Sequence, residues 1–271
     1  MGVRGSTPAP GPEFVRYGGH TSCVALARDG ERPAVVLDAG TGLRRLPALL
    51  DGEPFRGSIL LGHLHWDHTH GLPFTPVIDR EDARVDLYIP AQGPPVEVLE
   101  RWMSPPHFPI GPEELGGEWS FTGIEEGRHT IEGHSVLARE ILHKGGRTFG
   151  YRVSDGDVGV AYLSDHAPHT LGPGPEGVGE YHEAAVELAA GVDLLVHDAQ
   201  YTADELATRG HFGHAAAEYA VGLAKETGAR RLLLFHHDPN RTDDQLDRLV
   251  ADLDSRGVDV APAVEGTTIE L

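Results

Sequence analysis

The stretch Leu61–Gly71, "LGHLHWDHTHG", decides how the rest of the chain is read. It holds His63, His65, His68 and His70, with Asp67 among them. The apolar run of "GSILLGHLH" reads as a strand that ends in ligand-type side chains. Alternation along that strand puts His63 and His65 on one face. Asp67 and His68 are consecutive, and a turn or first helical turn after Trp66 would carry both to a second position close to the first. This arrangement suits two neighbouring metal ions better than one, and zinc takes imidazole nitrogen and carboxylate oxygen readily. With 17 histidines in the chain, a chance pair is ordinary. Four ligand-type residues between His63 and His68, at a strand end, are a different matter.

Working outward, other strand-like segments also finish in ligand-type residues. "ILH" puts His143 just before the tight turn "KGGR", "VAYLSDH" ends in Asp165, and "LLLFHHD" ends in His236 and His237. Strands that deliver such residues to one rim of a sheet build a site on rigid supports.

The 271 residues suffice for one large domain with a sizeable core. Hydrophobic residues make up 39%, and no apolar run approaches the roughly 20 residues of a membrane span. There is no basic-then-apolar secretory leader, and the opening "MGVRGS" matches an N-myristoylation pattern too short to be specific. The single Cys23 rules out an intramolecular disulfide framework and fits a reducing cytoplasm. Net charge is −20. A surface this acidic repels phosphate backbones and disfavours a long nucleic-acid partner, while leaving room for a small anion in a locally positive pocket.

No repeat or low-complexity linker divides the chain, so a single domain over 1–271 is expected. Short strands are expected at "TSCVALA", "PAVVLDAG" and "GSILLGH", then at "SVLAREILH", "TFGYRVS" and "VGVAYLSD". A proline-rich stretch over residues 90–115 carries one helix-compatible piece at "VEVLERWM" and could serve as a lid or a homodimer contact. The second half alternates helix and strand: "EYHEAAVELAAG", "VDLLVHDAQ", "GHAAAEYAVGLAKETG", "RRLLLFHHD" and "DDQLDRLVADLDSRG". This pattern implies an α/β protein whose sheets pack together and are covered by helices.

The order HxHxDH, then His, then Asp, then His resembles the ligand pattern of the metallo-β-lactamase superfold across nearly the whole chain. Within it the sequence is similar to the phosphodiesterase branch, ribonuclease Z and, most closely, the phosphoribosyl cyclic phosphodiesterases. That likeness rests on "GVRGSTPAPGPEFVRYGGHTSCVAL", "LDAGTGLR", "HLHWDHTHGLPF", "HFP", "YLSDH", "HDAQYT", "GHAAAEYA" and "LFHHDP". It implies a four-layer αββα sandwich, two mixed sheets flanked by helices. It implies two divalent ions, for which zinc fits the donors best and manganese or iron are acceptable. His63, His65 and His143 would hold one ion, Asp67, His68 and His236 the other, and Asp165 would bridge them. The position directly after the strand favours His236 over His237. Asp38 in "LDAGTG" would support the site rather than ligate, and His70 lies outside the ligand pattern. Members usually begin with a full strand before "GVRGS", and the protruding arm with which ribonuclease Z grips tRNA is not apparent.

The same resemblance implies a hydrolase that cleaves a small phosphodiester, a cyclic phosphate or cyclic nucleotide, by attack of metal-bound hydroxide. Asp67, Asp198 and His214 would be the catalytic residues, with Asp198 fixing the tautomer of His214 and His214 protonating the leaving oxygen. His107 and Phe108 could stack on a base or sugar, Arg147 could meet a phosphate or equally form a surface salt bridge, and His237 could meet the substrate. A lactone or thioester hydrolase on the same centre is the enzyme alternative, and a metal-binding sensor or accessory module the non-enzyme one.

Overall fold

The computed structural model describes residues 1–271. Its first half builds one sheet. Strands β1 (Val24–Leu26), β2 (Val35–Leu37), β3 (Arg56–Leu60), β4 (Arg84–Pro90) and β5 (Glu118–Ile124) lie side by side in chain order. The β1–β2 pair is antiparallel and the remaining pairs are parallel. Helices α1 (Leu46–Leu49), α2 (Trp66–Thr69) and α3 (Pro95–Glu100) belong to this half.

The second sheet holds β6 (Gly127–Ile131), β7 (His134–Ile141), β8 (Thr148–Asp155), β9 (Val158–Leu163), β10 (Leu194–Asp198), β11 (Arg231–Phe235) and β12 (Asp259–Pro262), in the order 12-11-10-9-8-7-6. Hairpins join β6 to β9 antiparallel, whereas β9 to β12 run parallel. Parallel neighbours need crossovers, and the chain supplies them as α4 (Glu183–Ala189), α5 (Ala203–Arg209) with α6 (Ala217–Thr227), and α7 (Asp243–Asp252).

The period of two along each strand sorts side chains into three cores. Val35, Leu37 and Leu60 of the first sheet meet Phe149, Tyr151, Val160, Tyr162, Val196 and Phe235 of the second in the middle layer. The alternate residues Val36 and Ile59 pack outward against Leu46 and Leu99. On the far side, Ala161, Leu163, Leu195 and Leu234 pack under Leu188, Tyr219 and Leu223. Two mixed sheets flanked by helices therefore match the expected sandwich. At Gly150, where α4 crosses β8, a Cβ would sit 2.6 Å from Leu188 Cδ1, so a larger residue there would make the Leu188 side chain shift.

The N-terminal residues form no full strand. They make isolated bridges instead, Gly2 with Cys23, and Arg4 with both Thr21 and His237. This stitches the end of one sheet to the end of the other. No helix is long and apolar enough to cross a membrane.

Candidate metal centre

Strands β2, β3, β7, β9 and β11 deliver the residues that follow them, and β10 its last residue Asp198, to one rim where the two sheets meet. His63 and His65 follow β3, and α2 begins at Trp66, so Asp67 and His68 fall in its first turn. Asp165 follows β9, His236 follows β11 and His143 follows β7. Two groups of donors result: His63, His65, His143 and Asp165, and Asp67, His68, Asp165 and His236. Within each group the donor atoms lie within 4.8 Å of one another, and Asp165 belongs to both.

Hydrogen bonds fix which nitrogen of each ring is left over. His68 Nδ1 donates to Asp38 Oδ2 at 2.6 Å, and His143 Nδ1 to the carbonyl of Gly213 at 2.7 Å. His236 Nδ1 meets the hydroxyls of Ser22 at 3.0 Å and Ser164 at 3.3 Å. The freed Nε2 atoms of His68 and His236, and both nitrogens of His63, are buried without a hydrogen-bond partner. Nε2 of His143 faces Nδ1 of His65 at 3.3 Å. Orphaned polar atoms are costly in a protein interior. So are the buried carboxylates Asp38, Asp67, Asp165 and Asp198 gathered around these rings. A cation in each group answers both costs, and the residues present fit two of them.

The electrostatics carry the same signature. Burial, then the neighbouring His68 charge, holds the His63 imidazole well below its ordinary pKa. For His68 the burial penalty is outweighed by Asp67, Asp165 and Asp38, which push it well above. Asp165 is held well below the carboxylate range against its own burial, by His236 and His68.

Asp38 sits in the left-handed region at φ 60. Its Oδ1 accepts from the Gly62 amide at 2.7 Å, and its Oδ2 accepts from His68 and from the Tyr162 hydroxyl at 2.7 Å. Ser6, also left-handed at φ 61, gives its amide to Asp67 Oδ2 at 2.8 Å. Gly5 lets that segment approach, because a Cβ there would lie 2.4 Å from His236 Cδ2.

Beside the donors, His214 Nδ1 meets Asp198 Oδ2 at 3.0 Å. Asp198 is held in turn by the amides of His166 and Gln200, each at 3.0 Å. The His214 ring packs against those of His143 and His236. Burial alone would lower its pKa, and Asp198 outweighs it, leaving it raised to about 8. A carboxylate-oriented imidazole at this position can hold or release a proton at Nε2.

The structure thus brings together His63, His65, Asp67, His68, His143, Asp165, His236, Asp198 and His214. It does not bring the four expected substrate contacts to the donors. His237 turns away, with Nε2 on the Ala263 carbonyl at 2.9 Å. Arg147 is occupied by Glu140 at 2.9 Å, Glu125 at 3.0 Å and the Ala91 carbonyl at 2.7 Å. Phe108 packs edge-on against Phe74 at 5.8 Å, and His107 is exposed in the same loop. Sequence reasoning missed Tyr162, Ser6, Ser22, Ser164 and Gln200. The one available signal was Tyr162, a tyrosine on an otherwise aliphatic strand whose buried hydroxyl needs a partner.

The sequence model of the family described as "Beta-lactamase superfamily domain" matches residues 34–237. Ribonuclease Z of Salinibacter ruber is 27% identical over 259 residues, covering 80% of this chain and 79% of that enzyme. Ribonuclease Z of Brevibacillus brevis is 41% identical over a shorter 88 residues, 32% of this chain and 27% of that enzyme's length. Among solved structures, a diphosphatase from the PhnP family superposes with a TM-score of 0.69 at 18% identity, covering 100% of this chain and 95% of the other. The chain belongs to the beta-lactamase superfamily, as a hydrolase of the metallo-β-lactamase fold related to ribonuclease Z.

Proposed function

We propose that this protein hydrolyses a small phosphodiester at two divalent ions, zinc by preference of the donor set. His63, His65 and His143 hold one, Asp67, His68 and His236 the other, and Asp165 contributes to both. The observation that carries this reading is the pair of donor groups sharing Asp165 beside the Asp198–His214 pair. The family implies divalent ions, and its members named ribonuclease Z and diphosphatase are enzymes acting at phosphorus.

Divalent ions bound there supply Lewis-acid activation of water and of the phosphoryl group. The chain's own residues do the rest. Asp38, Gly213 and Ser22 hold the His68, His143 and His236 rings with their Nε2 atoms available, which fixes orientation before substrate arrives. Asp198 occupies His214 Nδ1, so the transferable proton resides on Nε2, from which it passes to the departing alkoxide. A placed acid matters most where an alkoxide leaves phosphorus, which favours a diester over a carbonyl substrate. The tight, acidic surroundings and the net charge of −20 favour a small substrate over a long nucleic acid.

The test is His214→Ala, assayed with bis(p-nitrophenyl) phosphate and cyclic nucleotides alongside elemental analysis. Turnover should fall about 10²–10⁴-fold while metal content holds. Unchanged turnover removes His214 from the mechanism, and a wild-type protein with less than one metal per chain removes the dinuclear centre.

A further inference from the structure

We infer that the Ser6 hydroxyl, tethered by Gln200, is a hydrogen-bond donor to a non-bridging phosphoryl oxygen of the substrate. This deepens the phosphodiesterase reading and rests on it.

The segment that carries Ser6 is seated before any substrate arrives. Gly5 donates its amide to the His237 carbonyl, and His237 donates its own to the Val3 carbonyl, each at 2.9 Å. Arg4 is wholly buried. Its guanidinium is held by the carbonyls of Gly18 at 2.8 Å and Arg241 at 2.7 Å, and by the Asp243 carboxylate at 3.2 Å. A segment fixed this closely presents its next residue with little freedom.

That residue is Ser6, and its backbone is left-handed at φ 61. Glycine takes this conformation freely, whereas a residue with a Cβ is strained in it. The amide that reaches Asp67 Oδ2 at 2.8 Å belongs to the backbone, so glycine would supply it equally. What serine adds is the hydroxyl. Ser6 is exposed and lines the mouth of the donor groups, a hollow of about 340 Å³ shared with His65, Trp66, Asp67 and Asp165.

The partner of the hydroxyl decides where its proton goes. Gln200 Nε2 stands 3.1 Å from Ser6 Oγ. An amide nitrogen only donates, so Oγ accepts there and its own proton is left for another acceptor. Gln200 is itself fixed: it is buried, its amide donates to Asp198 Oδ1 at 3.0 Å, and its carbonyl accepts from Arg241 at 3.2 Å. The strap and the glutamine are in close contact, since a Cβ on Gly5 would lie 2.5 Å from Gln200 Nε2. A free O–H beside Asp67 and Asp165 has its use when cations occupy the donor groups and an anion lies across them. The non-bridging oxygens of a diester carry its charge, and a donor fixed in advance stabilises that charge without reorganisation.

The test uses zinc-loaded full-length protein and Ser6→Gly, which keeps the backbone conformation and the amide on Asp67 but removes the hydroxyl. Calorimetry with inorganic phosphate reads the contact apart from turnover, and bis(p-nitrophenyl) phosphate reads turnover. Phosphate affinity and kcat/KM should both fall about 10–100-fold, the range for a hydrogen bond to a charged group, with zinc content at the wild-type level. Gln200→Met removes the tether at similar volume and should lower both. In the Ser6→Gly background it should add nothing, because it acts through the hydroxyl. Unchanged phosphate affinity in Ser6→Gly overturns the proposal, as does a loss matched by lost zinc, which would assign Ser6 to the support of Asp67 alone. Additive losses in the double variant overturn the tether. If wild type and Ser6→Gly hydrolyse the diester equally, the donor falls and the phosphodiesterase reading stands. If phosphate binding depends on Ser6 but wild type hydrolyses no diester, the contact stands and the phosphodiesterase reading falls.

Discussion

Asp38→Asn isolates what the buried carboxylate does, because it changes little else. Asparagine matches aspartate in size and tolerates the left-handed backbone at φ 60, so neither a cavity nor new strain confuses the result. Oδ1 serves the fixed amide of Gly62, and Oδ2 serves two donors, His68 Nδ1 and the Tyr162 hydroxyl. The variant keeps one oxygen. If that oxygen stays on Gly62, the new NH₂ faces His68, whose ring must then accept at Nδ1 and carry its proton on Nε2. That is the nitrogen directed at Asp67 and Asp165, at 3.2 and 3.0 Å. If the amide flips instead, its NH₂ opposes the Gly62 N–H in a dry site, at about 1–3 kcal/mol for an unsatisfied buried donor. Loss of such a supporting partner weakens metal binding by about 10–100-fold, or about 1.4–2.7 kcal/mol. Zinc competition against a chromophoric chelator should therefore show one of two ions released early, with the ion on His63, His65 and His143 held as in wild type. A folded variant that binds both ions at wild-type affinity would refute the argument.

The neighbouring histidines separate cleanly: His236→Ala should lose about one metal equivalent per chain by elemental analysis. His237→Ala should keep both, because its ring serves only the Ala263 carbonyl, and should instead lower the urea midpoint. Leu188→Ala, in the fully buried layer beneath α4, should cost about 2–5 kcal/mol with metal content unchanged, read by denaturant titration. His197 is buried neutral, donating from Nδ1 to the Asp198 carbonyl at 2.7 Å and meeting His166 through Nε2 at 3.1 Å. Burial lowers its pKa in the folded state, so the unfolded chain takes up the proton first. Its contribution is thus flat above about pH 6.5 and is lost as pH falls below it, at up to about 1.4 kcal/mol per pH unit. The metal-free stability of His197→Gln should decline less steeply than wild type between about pH 6.5 and 5, and parallel profiles would contradict this.

What was legible in the sequence follows a physical pattern. Strands β2, β3, β9, β10 and β11 are buried on both faces or nearly so, and their aliphatic runs announce them. The donors were legible because they sit immediately after such runs. Strands β5 and β6 were not, since they alternate with exposed polar residues along "EWSFTGI" and "GRHTI" and carry no apolar signature. The supports of the site were least legible. The Gly213 carbonyl under His143 and the Ser6 amide on Asp67 are backbone groups with no residue-type signal, brought in from 70 and 61 positions away. For Arg147 the sequence left a phosphate contact and a surface salt bridge equally open; it lies just before β8 and pairs with Glu140 and Glu125.

Backbone conformation ties these observations together. Seven residues other than glycine have positive φ, and four of them, Ser6, Asp38, Asp165 and His236, surround the donor groups. Each such position costs a non-glycine residue about 1–2 kcal/mol, and glycine would remove that cost anywhere the side chain were idle. At these positions it is not idle. Asp38 orients His68, Asp165 belongs to both donor groups, His236 contributes to the second, and Ser6 presents its amide to Asp67. The left-handed turn after β2, β9 and β11 is what swings each side chain off the strand axis and into the rim between the sheets. A straight continuation would send alternate residues back into the two flanking cores. The strain is therefore local to the chemistry and absorbed by the packing of the strands behind it. It follows that glycine at Asp165 or His236 would relieve backbone strain while deleting a donor. Compared with wild type, both proteins stripped of metal, Asp165→Gly or His236→Gly should be the more stable by denaturant titration, yet on reloading it should bind less metal than wild type, an opposition that a purely structural role for these residues would not produce.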